Sequence, residues 1–130
     1  MQELKYKDIV KALLETISAF KKSDEYDSEN EEITYLLFSD FARFLTSKIE
    51  RAKNPEQDED IAKSFSFLEN MLNADDKEVV NLAEVEILEQ LAQSSKATEF
   101  TKRVLSEKAR INFERIISYW GTNGKQGRSQ

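Results

Sequence analysis

The chain has 130 residues, with no Cys, no His, one Pro, three Gly and a formal net charge of −6. Without Cys there is no disulfide or thiolate chemistry, and without His a zinc site or a His general base is not expected. All three Gly fall at or after residue 121. Because the turns of a sheet draw on Gly and Pro, the composition predicts an all-α fold.

The charge is distributed unevenly. Residues 24–89 carry nineteen Asp and Glu against six Lys and Arg, whereas residues 1–23 and 90–130 are net basic. An acidic middle repels nucleic acid and anionic membranes and attracts a basic partner. No apolar run reaches the ~20 residues of a membrane span, and the first residues lack the apolar run of a signal peptide. We therefore expect a cytoplasmic protein that binds neither membrane nor nucleic acid and carries no cofactor.

Apolar spacing predicts the first two helices. Helix one covers about residues 3–22, and residues 23–30, which lack periodicity, form an acidic loop. Helix two covers about residues 31–53. The apolar stripe of helix one comprises Tyr6, Val10, Leu13, Leu14 and Ile17. The side chains that helix two is expected to bury are Leu37, Phe38, Phe41, Phe44, Leu45 and Ile49.

Helix three, about residues 55–72, begins at a Pro that suits a first helical turn. Asn54 is predicted to cap it, with Gln57 completing a capping box. Its expected buried residues are Ile61, Phe65, Phe67, Leu68, Met71 and Leu72.

Helix four, about residues 75–92, is apolar nearly all round and is predicted to be the most buried helix. Its apolar residues are Val79, Val80, Leu82, Ala83, Val85, Ile87, Leu88 and Leu91. The sequence of residues 65–72 is echoed in residues 85–92, which suggests a repeat-like pairing of helices three and four. One echo is too short to establish a repeat array.

The last segment, about residues 96–120, is either one helix or two, because Leu105-Ser106-Glu107-Lys108 resembles a stop followed by a new N-cap. Five to six helices then form a single bundle over residues 1–120, and residues 121–130 form a disordered polar tail. Basic residues in this segment alternate with aromatics, as on some nucleic-acid surfaces. The aromatics follow the core spacing and Glu residues interrupt the charge, which favours a mixed solvent face.

Two carboxylates have apolar neighbours at helical spacing. Asp40 lies between Leu36 and Phe44, and Glu86 follows Leu82. A buried pair with raised pKa values could act as general acid and base. The alternative, which we favour, is that each acid pairs locally, Asp40 with Arg43 and Glu86 with a cation on a neighbouring helix.

Residues 60–120 resemble a known family. Phe65–Leu72, Asp75–Leu82 and Val85–Leu91 resemble a helix carrying a Phe-Leu-Glu motif, an acidic turn and a second helix with a similar motif. Leu105–Trp120 is similar to the family's closing helix. The family comprises small helical immunity proteins of bacterial polymorphic-toxin and contact-dependent inhibition systems. This resemblance implies an all-α protein that neutralises a toxin.

Charge and resemblance together favour a non-enzymatic immunity protein that docks an acidic surface on the basic cleft of a toxin, for example a nuclease. Tyr26 is predicted to be its aromatic anchor, because it lies among acids with no core to fill. The acids expected to contact the partner are Asp24, Glu25, Asp27, Glu29, Glu31, Glu32, Asp58, Glu59, Asp60, Asp75, Asp76 and Glu78. The alternatives are a helical adaptor or regulatory subunit for a basic protein, and a small enzyme that uses Asp40 and Glu86.

Overall fold

Helical spacing of apolar side chains recurs along most of the chain, and the computed structural model is a bundle of helices joined by short connections. The structure describes residues 3–119; Trp120 and the predicted tail 121–130 lie outside that range. Residues 3–119 contain no strand, so the all-α prediction is confirmed. Their helices are α1 (Ile9–Thr16), α2 (Ser18–Lys21), α3 (Thr34–Arg51), α4 (Glu59–Leu72), α5 (Lys77–Leu82, Ala83–Leu88 and Glu89–Leu91, in unbroken succession), α6 (Ser95–Val104) and α7 (Glu107–Tyr119).

The predicted first helix is interrupted, which makes seven helices in residues 3–119 instead of five or six. The backbone leaves helical geometry at Ile17, where φ is −114° and ψ is 70°. Thr16 and Ile17 are β-branched and are followed by Ser18, three residues that favour helix interiors poorly. The break turns the chain so that Phe20 of α2 is fully buried.

Helix α3 is the centre of the fold. Nine of its eighteen residues are buried, including all six that the sequence predicts. Phe20 packs against Phe41 and Phe44, and both ring-centroid distances are 5.5 Å. The prediction that residues 75–92 form the most buried helix is wrong. In α5 six of fifteen residues are buried, and Val85 is 42% exposed.

A π-helical segment, Ala83–Leu88, forms the middle of α5. The buried pair Leu82–Ala83 is followed by the buried pair Ile87–Leu88, a spacing of five residues. Hydrogen bonds from i to i+5 accommodate one more residue per turn than an α-helix does. Both pairs therefore face the core, although a regular α-helix would repeat its buried face after three or four residues.

Side-chain caps define the later helices. Asn54 makes no capping hydrogen bond, so that prediction is wrong; residues 55–57 form a 3₁₀ turn, and Asp58 caps α4 instead. Ser94 caps α6, accepting the N–H of Ala97 at 3.1 Å. Ser106 accepts the N–H of Ala109 at 3.3 Å, and α6 and α7 are separate helices. Of the two alternatives that the sequence leaves open for residues 96–120, the structure shows two helices over the part it describes.

The helices pack around α3. Helices α5 and α6 lie against α3, and α4 contacts α1, α3 and α5. Helix α7 packs on α5 and α6. The corner between α6 and α7 is tied to α4, because the backbone N–H of Ser106 donates to Glu69 at 2.6 Å. Within residues 3–119 no helix combines the length and apolar character needed to cross a membrane.

Candidate functional site

The acidic segment 24–32 is held against the core by its one aromatic residue. The ring of Tyr26 meets Phe20 edge-on, with the ring centroids 5.6 Å apart, and it packs against the buried cluster. Its hydroxyl donates a hydrogen bond to Glu31. The premise that Tyr26 makes no contact with the core is wrong, because its half-buried ring packs against the core. A partner anchor has to be sought elsewhere.

Two of the six acids in this segment have structural roles. Asp27 accepts the backbone N–H of Glu29 at 3.0 Å and so caps the 3₁₀ turn Ser28–Glu32. Glu31 accepts the hydroxyl of Tyr26. The side chains that form neither a hydrogen bond nor an ion pair within residues 3–119 are those of Asp24, Glu25, Glu29 and Glu32.

Lys48 lies between two acids of the second segment, residues 58–60. Its ammonium nitrogen is 3.6 Å from Asp58 and 3.4 Å from Asp60. Asp58 also accepts the N–H of Ile61 at 3.0 Å as the cap of α4. Glu59 is exposed beside this cluster. The charge that residues 58–60 present to a partner is therefore reduced, and Asp58 is engaged at the helix end.

Asp76 fastens the N-terminal turn to the start of α5. Its carboxylate accepts the backbone N–H of Tyr6 at 2.9 Å and that of Glu78 at 3.0 Å. The hydrogen bond from Tyr6 is the main reason that the pKa of Asp76 is lowered, because it stabilises the charged form. Asp75 and Glu78 are exposed next to this cap.

The three acidic segments do not form one surface. Segment 24–32 leads into the N-terminal end of α3, and Glu78 lines a groove with Tyr35 at that same end. Lys48, which contacts residues 58–60, lies thirteen residues further along α3. At 1.5 Å per residue this is about 20 Å along the helix axis. Seven of the predicted contact acids have side chains that form no hydrogen bond or ion pair within residues 3–119, and four of these seven lie in segment 24–32.

The two acids considered for catalysis have different surroundings. Asp40 is buried and accepts hydrogen bonds from Arg43 and from Asn30, the latter at 2.8 Å. The predicted pairing of Asp40 with Arg43 is confirmed. Glu86 is half-buried and forms no ion pair or hydrogen bond within residues 3–119, so the pairing predicted with a cation on a neighbouring helix is wrong for this range.

A groove of about 360 Å³ lies between the N-terminal turn, the start of α3 and α5. Its apolar lining includes Tyr6, Tyr35 and Val85, and its acids are Glu78 and Glu86. Tyr35 is 54% exposed there. Burial is the main cause that raises the pKa of Glu86, and the nearby charge of Glu89 adds to it.

Residues 9–121 match a family of domains of unknown function, DUF7674. The chain belongs to the DUF7674 family. Comparisons with curated proteins and with solved structures found no match. The match spans α1 to α7, so the whole bundle described above is this family's domain.

Sequence reasoning missed the groove of this DUF7674 domain. The sequence predicts Val85 on the most buried helix and indicates no role for Tyr35. It offers no local signal for the groove, because Val79, Ala83, Ile87 and Leu91 recur at the four-residue spacing of an ordinary α-helix. No local pattern indicates that Tyr6, seventy residues before Asp76, lies beside it. That contact depends on the packing of distant segments.

Proposed function

We propose that this DUF7674 protein is a non-enzymatic immunity protein that acts in the cytoplasm of a bacterium. It neutralises a cognate toxin domain with a basic active-site cleft, such as a nuclease. Nuclease clefts are electropositive because they hold phosphates. An acidic surface docked on such a cleft excludes the substrate, and inhibition is stoichiometric.

The observation that carries this proposal is the set of acids without a cationic partner in segment 24–32, which leads into α3. Asp24, Glu25, Glu29 and Glu32 form no ion pair within residues 3–119. Such carboxylates generate a negative field that no neighbouring cation offsets, and this field steers a basic partner. Asp75 and Glu78, exposed near the start of α5, extend the contact surface.

The remaining acids of the predicted surface have a secondary part. Lys48 offsets the charge of Asp58 and Asp60, which leaves Glu59 as the exposed acid of that segment. Asp27, Glu31 and Asp76 hold the local backbone and neighbouring side chains in place. These three acids maintain the local conformation of the surface, whereas the unpaired acids provide the charges that steer the partner.

A growth assay tests the proposed activity. The proposal predicts that an adjacent reading frame encodes a secreted protein with a variable C-terminal toxin domain. The full chain is co-expressed with that domain, and viability is compared with that of cells expressing the domain alone. The proposal predicts restored growth and a stoichiometric complex of the two purified proteins. Restored growth without a complex, or a complex without protection, contradicts inhibition by docking.

Charge reversal then tests the surface. The variant Asp24→Lys/Glu29→Lys/Glu32→Lys should associate with the toxin domain at least ~10-fold more slowly than wild type at low salt. The difference should shrink near 1 M salt, where the Debye length is about 3 Å. Its matched control reverses three exposed acids on other helices: Glu15, Glu99 and Glu114. Equal slowing in both variants would assign the effect to net charge and not to this surface.

A further inference from the structure

The groove beside Tyr35 exposes apolar surface that the fold leaves uncovered. Tyr35 is 54% exposed and Val85 is 42% exposed, and both line the same concavity of about 360 Å³. Single exposed apolar residues are ordinary, whereas two that line one groove form a concave apolar surface. Covering them with a partner would remove apolar area from water, which is favourable by roughly 25 cal/mol per Å².

The charges around the groove indicate what kind of side chain fits it. Its ionisable lining comprises Tyr6, Tyr35, Lys77, Glu78 and Glu86. Glu86 has no hydrogen-bond or ion-pair partner within residues 3–119. Its carboxyl loses hydration through burial and lies near Glu89, two effects that disfavour its charge. An incoming cation would offset both effects, because an opposite charge nearby stabilises the charged carboxylate.

The lining is also chemically mixed. Leu82 and Val85 provide aliphatic surface, the tyrosine rings provide aromatic faces that attract cations, and the glutamates provide the counter-charge. Long basic side chains combine an aliphatic stem with a cationic end. They match this lining in both respects, whereas an acidic or wholly apolar side chain matches one feature at most.

We propose that this groove receives a Lys or Arg side chain of the basic partner, with its stem on Leu82 and Val85 and its cation against Glu86 and the Tyr35 ring. The inference rests on the proposed function, because it identifies the point at which the toxin domain is gripped. The unpaired acids of segment 24–32 govern the rate of approach, and the groove governs the rate of release. Tyr35 thus has the anchor role that Tyr26 cannot have.

A hexa-arginine peptide tests the groove without the toxin, with hexa-glutamate as the charge control. Titration of the full chain, followed by the NMR signals of backbone amides, should shift Tyr35 and Val85 with hexa-arginine only. Tyr35→Ala and Glu86→Gln should each weaken this binding at least fivefold. The control Glu99→Gln removes the same charge from exposed surface on α6 and should bind as wild type does. Shifts confined to residues 24–32 would overturn the inference.

The toxin domain provides the second readout. Tyr35→Ala should raise the dissociation rate of the toxin domain about 10-fold or more and leave its association rate within about twofold. The control Ile111→Ala, which truncates an exposed apolar residue on α7, should change neither rate.

A dissociation rate for Tyr35→Ala equal to that of wild type would overturn the inference while the proposed function stands. A peptide that fills the groove in a protein that gives no protection would support the inference and overturn the immunity role. Self-association that Tyr35→Ala abolishes, without any peptide response in the groove, would overturn the inference and assign the groove to a second copy of the chain.

Discussion

Replacing Tyr26 by Ala should destabilise the fold, although the residue lies in an acidic surface segment. The ring is half-buried against the core, meets Phe20 edge-on at 5.6 Å and donates its hydroxyl to Glu31. The replacement removes all three interactions. If Tyr26 were instead an exposed anchor, the same change would leave stability within about 0.5 kcal/mol, as at ordinary surface positions.

The expected magnitude follows from the three contacts. Half-burial of an aromatic side chain contributes about 1 kcal/mol, an edge-on aromatic pair adds about 0.5–1.5 kcal/mol, and a partly exposed hydrogen bond adds about 1 kcal/mol. Tyr26→Ala should therefore lower the free energy of unfolding by about 2.5–3.5 kcal/mol. Tyr26→Phe keeps the ring and should lower it by about 1 kcal/mol.

Urea denaturation monitored by circular dichroism measures both changes as shifts of the midpoint at constant slope. Tyr35→Ala is the matched control, because it removes the same side chain from a site that is 54% exposed. It should lower the free energy of unfolding by at most about 1 kcal/mol, because Tyr35 has only the partial burial of its ring to lose. Equal stability of Tyr26→Ala and wild type would refute the packing argument and return Tyr26 to the candidate binding surface.

Two further predictions concern pH and have opposite signs. The folded-state pKa of Glu86 is raised above 4.5, so the contribution of its protonated form to stability is present below pH 4.5 and is lost as pH rises through the raised value. Glu86→Gln should therefore be more stable than wild type at pH 7 and should lose this advantage in acid. Thermal unfolding at several pH values measures the difference. The pKa of Asp76 is lowered below 3.8, so its contribution is present above pH 3.8 and is lost as pH falls through the lowered value. Asp76→Asn should therefore be less stable than wild type at neutral pH, with the difference shrinking in acid, and a difference independent of pH would contradict the role of its charge.

Glu86 illustrates why a binding site can conflict with stability. Its charge is disfavoured in the folded protein by burial and by Glu89, yet the proposed partner needs that charge. Glu86→Gln should thus stabilise the free protein and weaken the complex. Opposite effects on folding and binding are expected of residues selected for a partner. A residue that serves packing alone, such as Phe20, should affect binding only through folding.

Helix positions and most core residues could be predicted from the sequence because they depend on local spacing. The six core residues expected in the second helix are all buried in α3, and the stop and cap at Leu105–Ser106 separate two helices, one of the two alternatives that the sequence leaves open. Two local predictions failed because a neighbouring residue or the local backbone prevailed: Asp58 caps α4 in place of Asn54, and the backbone leaves helical geometry at Ile17. The prediction that residues 75–92 are buried nearly all round failed at Val85, which lies on the side of α5 opposite the buried Ala83 and Ile87.

By itself the sequence determined the all-α class, the acidic middle and the absence of Cys and His chemistry, since these follow from composition and short-range periodicity. The tertiary structure alone decided which acids are unpaired and which tyrosine is exposed. Lys48 reaches Asp60, and the backbone of Tyr6 reaches Asp76. Neither contact can be predicted from the local spacing of residues in the sequence, because helix packing brings together residues that are distant in the chain. The groove beside Tyr35 exists for the same reason.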